Sequence, residues 1–248
     1  MAITAVCASA QQQNKAVTAK VTGTTYTETV NGLNLKMIYV EGGTFAMGST
    51  SGCDNERPVH NVTLDSYYIS ETEITQVQWG NIMWYNPSDF TGVYRPVENV
   101  SWYEAQEFCK KLSALTGKKY VLPTEAQWEY AARGGNNSKG YTYSGSNNVG
   151  DVAVYDDNSG HSRVKRKKPN ELGIYGMSGN VSEWCSDWSG SYSSSPQTNP
   201  QGPSKGSSRV MRGGAWCHLS DFCRVASRGS AIPSVHSCTC GFRVVCLP

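Results

Sequence analysis

Residues 208–248 constrain the fold more than any other part of the chain. They open on Arg212-Gly213-Gly214 with Trp216 close behind, and they close on Gly241-Phe242-Arg243-Val244-Val245. Both ends read as framework. The run between them shows neither the 3.6-residue period of an amphipathic helix nor the alternation of a strand. It holds four of the nine cysteines (Cys217, Cys223, Cys238, Cys240) and two of the four histidines (His218, His236). A chain with such a run needs a scaffold that pins a long irregular segment at both ends.

The rest of the chain supplies material for that scaffold. Its 248 residues can bury a sizeable core, and 25 glycines with 14 tyrosines and 7 tryptophans favour a loop-rich domain over a helical bundle. With 22 basic and 20 acidic residues, and one short basic run at 165–168, nucleic acid is not the expected partner. No apolar run approaches the length of a membrane span. Near the start, Ala8-Ser9-Ala10 precedes Gln11-Gln12-Gln13, an A-x-A pattern of the kind found at leader cleavage sites. The expectation is therefore an exported protein, periplasmic, on the cell surface or secreted. Residues 1–10 would be a signal-peptide remnant, 11–32 an N-terminal extension and 33–248 a single domain with a variable segment at 217–240. Cys7 would leave with the leader. Eight cysteines in an oxidising compartment favour disulfides, with reduced buried thiols as the alternative.

Local patterns fill in the scaffold. Thr- and Val-rich text before residue 33 reads as a strand or two, and Asn31-Gly32 marks a turn into a strand from Leu33. Residues 62–69 alternate as a strand. A helix follows Thr75, with Val77, Ile82 and Met83 offered to one face. A second opens on a Ser101–Glu104 capping box, with Ala105, Phe108, Cys109 and Leu112 in core spacing. A third is capped by Thr124. Residues 134–170 are Gly/Asn/Ser-rich loop.

In order, Glu41-Gly-Gly-Thr-Phe-x-Met-Gly, Glu56-Arg-Pro-x-His, Glu73-Ile-Thr-Gln-x-x-Trp, Pro96-Val-Glu-Asn-Val-Ser-Trp and Leu122-Pro-Thr-Glu-Ala-Gln-Trp-Glu-Tyr-Ala-Ala-Arg-Gly-Gly are followed by Gly176-Met-Ser-Gly-Asn-Val-x-Glu-Trp, Arg212-Gly-Gly and Gly241-Phe-Arg. This series resembles the formylglycine-generating enzyme (sulfatase-modifying factor) family across about residues 37–245. The resemblance implies an α+β, C-type lectin-like fold of the formylglycine-generating-enzyme type, with much irregular structure. Fold alone does not assign function.

Two functions compete for the closing segment. Active members of that family convert a substrate cysteine to formylglycine with a copper-binding cysteine pair, and two soft thiolates suit Cu(I). Here the pair would be Cys217 and Cys223. They stand six apart where the family's pair is five apart, and His218 holds the first cysteine's place when counted from Arg212. Ala215 and Ser182 replace a Ser and a Trp that the resemblance places in the oxygen pocket. A four-cysteine zinc site from Cys217, Cys223, Cys238 and Cys240 would lack the usual C-x2-C pairs.

The alternative is binding. From Cys217 onward, 32 residues contain no Lys, Gln, Glu, Met or Trp, types that make up 46 of the 216 residues before. Every residue present can be written with a codon ending in a pyrimidine, the alphabet produced by randomising the adenines of Asn codons. The segment thus resembles the variable region of diversity-generating retroelement target proteins, which share this fold. Trp216, Arg224, Val225, Arg228, Pro233 and Phe242 would hold the backbone. Trp216, Cys217, His218, Ser220, Asp221, Phe222, Ser227, Ser230, Ala231, Ile232, His236, Ser237, Cys238 and Thr239 would face a ligand. The expectation is a monomeric display scaffold for an unknown protein or surface ligand, requiring no cofactor, with copper-dependent oxidation by Cys217 and Cys223 as the alternative.

The resemblance also implies a calcium site at Gly179, Val181 and Glu183, although Gly176 stands where the family has an Asn or Asp ligand. Asp156, Asp157 and Asn158 are a second candidate. Cys185 and Cys223 lie in framework text and are expected to form a disulfide, with Cys109 and Cys246 the next candidates.

Overall fold

The computed structural model describes residues 23–156 and 160–248. The proposed leader at 1–10 and two of the three acidic-loop residues, Asp157 and Asn158, lie outside the described residues. In chain order the strands and helices are β1 (Tyr26–Val30), β2 (Leu33–Val40), β3 (Gly43–Met47), β4 (His60–Leu64), β5 (Tyr67–Ser70), α1 (Gln76–Met83), α2 (Trp102–Thr116), β6 (Lys119–Val121), α3 (Glu125–Ala132) and α4 (Val149–Val152). They continue with β7 (Ser182–Trp188), β8 (Gln197–Thr198), β9 (Arg209–Arg212), β10 (Arg228–Ala231), β11 (Cys240–Gly241) and β12 (Val245–Leu247). Three sheets result: β1-β2-β5-β12-β6, β10-β9-β7-β11 and β3-β4-β8.

The first sheet begins with a hairpin. Asn31 and Gly32 both take positive φ, 51° and 77°, the conformation a tight turn between right-twisted strands requires. β1 pairs with β2 from Tyr26↔Met37 to Val30↔Leu33, so the sheet takes in part of the stretch assigned above to the N-terminal extension. At the other side of this sheet, β12 is interior. Val245 pairs with Ile69 of β5 and with Val121 of β6, both antiparallel.

All three long helices start on capping boxes, in which Thr75 and Gln78, Ser101 and Glu104, and Thr124 and Gln127 bond each other's backbone. Helix α2 buries Ala105, Phe108, Cys109 and Leu112 as its spacing predicts. Helix α1 differs from expectation at one position: Val77 is 39% exposed, and Trp79 is fully buried. Trp79, Ile82 and Met83 fall at i, i+3 and i+4, so the tryptophan owns the inward face and Val77 is rotated off it. Trp79 stacks on Phe108 at 5.7 Å and meets Phe242 edge-on at 5.9 Å, which joins both helices to the framework end of the closing segment.

Buried arginines tie the sheets together. Arg243 is fully buried and donates to both oxygens of Glu183 at 2.6 and 2.7 Å, and to the carbonyls of Tyr175 and Ser70 at 2.9 and 3.1 Å. Arg212, equally buried, pairs with Glu129 and donates to the carbonyls of Val225, Ala226 and Ser227. A charge taken out of water this completely is tolerable only with a partner and filled hydrogen bonds. The bonds of Arg212 to backbone carbonyls reach into the irregular segment.

Candidate recognition surface

The closing segment leaves β9 through Gly213 and Gly214, both at positive φ (91° and 71°). A Cβ on Gly214 would stand 2.8 Å from the Phe222 carbonyl oxygen and 3.1 Å from Cys223 Sγ, so glycine lets the returning chain close against the turn. Two compact turns follow. His218 N–H donates to the Ala215 carbonyl at 2.9 Å, and Ser220–Cys223 forms a single 3-10 turn. The Ala215 N–H donates to His218 Nδ1 at 3.1 Å, and burial lowers the imidazole's pKa, so His218 is held neutral as an acceptor. Its ring lies 5.4 Å from that of Phe222.

Beyond this point the scaffold grips the backbone repeatedly. Arg224 holds Glu56 at 3.0 and 2.5 Å, and Val225 N–H donates to the Thr142 carbonyl at 3.0 Å. Arg228 holds Glu125 through two bonds of 2.6 and 2.7 Å. Trp102 N–H donates to the Pro233 carbonyl at 3.0 Å and Asn99 N–H to the Ser237 carbonyl at 2.9 Å. His236 Nε2 lies 2.8 Å from Glu104, whose other oxygen accepts from the Tyr85 hydroxyl at 3.0 Å.

The side chains between these grips face outward. Cys217, Asp221, Phe222, Ser230, Ile232 and His236 are exposed. Trp216, His218, Ser220, Ala231, Ser237, Cys238 and Thr239 are partly exposed. Ser227 is the correction: it is buried, because Arg212 collects its carbonyl and those of its two predecessors into the core side of the segment. Leu219, which the sequence reading passed over, is 60% exposed beside Phe222 at 52% and Ile232 at 57%. The pyrimidine-ending codon alphabet covers leucine and could have found it. The scaffold adds Tyr103, 56% exposed, one residue before Glu104.

The two thiols of the copper alternative sit in different surroundings. Cys217 is exposed, whereas Cys223 is fully buried, its carbonyl accepting from Ser178 Oγ at 2.8 Å. Burial pushes the Cys223 thiol up to about 12, so it keeps its proton at neutral pH. Cys185 and Cys223 do not form the expected disulfide; both are free. Cys185 is packed in the core beside β7's own carboxylates, while Cys223 Sγ faces Gly214 and the Leu219 carbonyl. Cys109 and Cys246 are free and buried as well.

The calcium set fares similarly. Both oxygens of Glu183 accept from Arg243, and one also accepts from Trp128 Nε1 at 2.7 Å. The place of a side chain at Gly176 is taken by the Glu73 carboxylate, which a Cβ there would meet at 2.3 Å. Glu183, the one carboxylate of the expected set, is thus already paired with Arg243, while the buried Glu73 Oε2 beside Gly176 has no hydrogen-bond partner among the described residues. Among the described residues no cluster of three or more His, Cys, Asp or Glu is arranged to hold a metal.

With twelve short strands, few helices and a long pinned segment, the domain has a mixed, lectin-like architecture. The model of the "sulfatase-modifying factor enzyme 1-like domain" matches residues 22–247, and the chain belongs to that family. The solved structure of Treponema denticola variable protein 1 superposes with a TM-score of 0.85 at 33% identity, covering 92% of this chain and all of that one. Among curated proteins, the chaperone protein LppX of Paenibacillus barcinonensis is 38% identical over 60% of this chain and 70% of its own length. The formylglycine-generating enzyme of Streptomyces coelicolor is 33% identical over 83% of this chain and 87% of its own. The chain spans 38% of the length of the serine/threonine-protein kinase Pkn1 of Chlamydia trachomatis, which it also matches. No helix among the described residues is long and apolar enough to cross a membrane.

Proposed function

We propose that the protein is an exported display scaffold that binds a protein ligand through residues 217–239, and that a retroelement diversifies this segment. One observation carries the reading. Leu219, Phe222 and Ile232 stand in solvent on a backbone whose framework residues Arg212, Val225, Pro233 and Phe242 are buried. Exposed apolar side chains among small polar ones, on a rigidly held loop, suit the centre of a protein-binding patch. The likeness to a variable protein supports the same reading, and that likeness together with LppX supports an extracytoplasmic place.

The test is to sequence the locus. A template repeat with adenines at the codons of the exposed positions, beside a reverse transcriptase gene, is the expected result. Variation among strains should spare Ser227. A locus with neither repeat nor reverse transcriptase sinks the diversification claim. The second reading, oxidation of a sulfatase cysteine, draws on the likeness to the Streptomyces enzyme. Copper-dependent conversion of a cysteine peptide to formylglycine, abolished by Cys217→Ser, would establish it instead.

A further inference from the structure

Two parts of the closing segment meet over a single residue of the framework. Trp216 N–H donates to the Asn180 carbonyl at 2.9 Å, and Ser182 N–H donates to the Thr239 carbonyl at 2.7 Å. These two bonds flank Val181, so residues 216 and 239 are both held against the same short stretch of framework. The Trp216 indole N–H then reaches across to the Cys238 carbonyl at 3.3 Å. Each partner sits in a tight turn, one closed by His218 N–H on Ala215 and the other by Cys240 N–H on Ser237 at 3.0 Å. Cys217 occupies the first turn and Cys238 the second, each one step from the residue bonded beside Val181.

We propose that Cys217 and Cys238 are a closable dithiol whose oxidation joins the two turns by a disulfide. Both thiols are free, Cys217 exposed and Cys238 partly so. Burial raises the Cys238 thiol, with Glu98, Asp89 and Cys217 adding to it. The other nearby thiol does not compete. Cys240 is buried and directs its sulfur at Met211 Sδ, 3.9 Å away in the core. Cys223 is buried with its pKa raised.

The chemistry needs a disulfide oxidant, and oxidised glutathione serves as the probe. The exposed Cys217, as thiolate, attacks one glutathione sulfur and releases a first glutathione thiolate. Cys238, after losing its proton, attacks Cys217 Sγ in the mixed disulfide and releases the second. The protein loses two protons and two electrons, and the oxidant becomes two thiols. The link ties residues 217 and 238, so it would fix the shape of the stretch between them. That role rests on the recognition reading above; the pairing does not.

The full chain is to be incubated with oxidised glutathione at mildly alkaline pH, quenched with an alkylating agent, and digested with trypsin without reduction. Expected is a monomer lighter by two hydrogens, with peptide 213–224 linked to peptide 229–243 and fragmentation placing the link at Cys217 and Cys238. Cys217→Ser and Cys238→Ser should each abolish the link, while Cys53→Ser, at an exposed thiol elsewhere, should leave it. Hydrogen exchange across 217–238 should slow on oxidation. Stable glutathionylation of Cys217, a Cys217-linked dimer, or alkylation of both thiols overturns the proposal. Because no ligand is involved, the link can form in a protein whose locus shows no diversification, and the two claims fail separately.

Discussion

Asp187 shows how a single residue sets a measurable property. It is buried at the end region of β7, where its Oδ2 accepts from Glu125 N–H at 2.9 Å and Ser186 Oγ at 3.0 Å. Burial, and then the neighbouring Glu125 carboxylate, push its pKa up to about 7. Glu73 is raised to about 7 as well, by burial and by Glu183, despite the opposing pull of Arg243 and the Asn180 amide. Both groups hold a proton in the folded protein at a pH where the unfolded chain has lost it. Stability from them is therefore greatest on the acid side and declines as pH rises through that range. Glu129 runs the other way. Burial disfavours its charge, but Arg212 and Arg133 outweigh that and hold its pKa low, so its contribution is lost only in stronger acid. Denaturant unfolding should show wild type losing stability from about pH 4 to about pH 7, and Asp187→Asn flattening that slope while raising the midpoint at the upper end. An unchanged slope in the variant would assign the effect elsewhere.

At the scale of elements, the helices and the hairpin were legible because their signals are local. A Ser or Thr followed three residues later by Gln or Glu marks each capping box, and Asn31-Gly32 marks its turn. Val77 misled because residue type was weighed above spacing; Trp79 lies in step with Ile82 and Met83. The segment was legible at most of its exposed positions, Leu219 excepted, and illegible at Ser227. What buries Ser227 is Arg212, 15 positions away and on another strand, and no local pattern reports that. The expected disulfide failed for the same reason, since thiol separation is a property of the packed chain. These placements give a graded expectation. Leu219→Ser, Phe222→Ser and Ile232→Ser should each shift unfolding free energy by no more than about 0.5 kcal/mol, as exposed sites do. Ser227→Phe should cost about 1–3 kcal/mol through overpacking. Equal costs at all four sites in urea titrations would contradict the division into outward and inward positions.

For the whole molecule, buried ion pairs stand where the family resemblance led us to expect a cation. Glu183 binds Arg243, which in turn holds the Ser70 and Tyr175 carbonyls, so this one guanidinium gathers three separated parts of the chain. Addition of EDTA should leave the melting temperature unchanged by scanning fluorimetry, and added calcium should not raise it. A drop with EDTA that calcium reverses would mean that Glu183 exchanges Arg243 for a metal. The placement of β12 carries a different consequence. Because β5 and β6 both hydrogen-bond to this strand, the first sheet is left in two pieces until the chain has been read through the closing segment and beyond. Were that segment diversified as proposed, an insertion or deletion that shifts the reading frame there would scramble the joining strand. Folding would then act as a proofreader: substitutions pass, while frame-shifted products fail to assemble and are left to proteolysis.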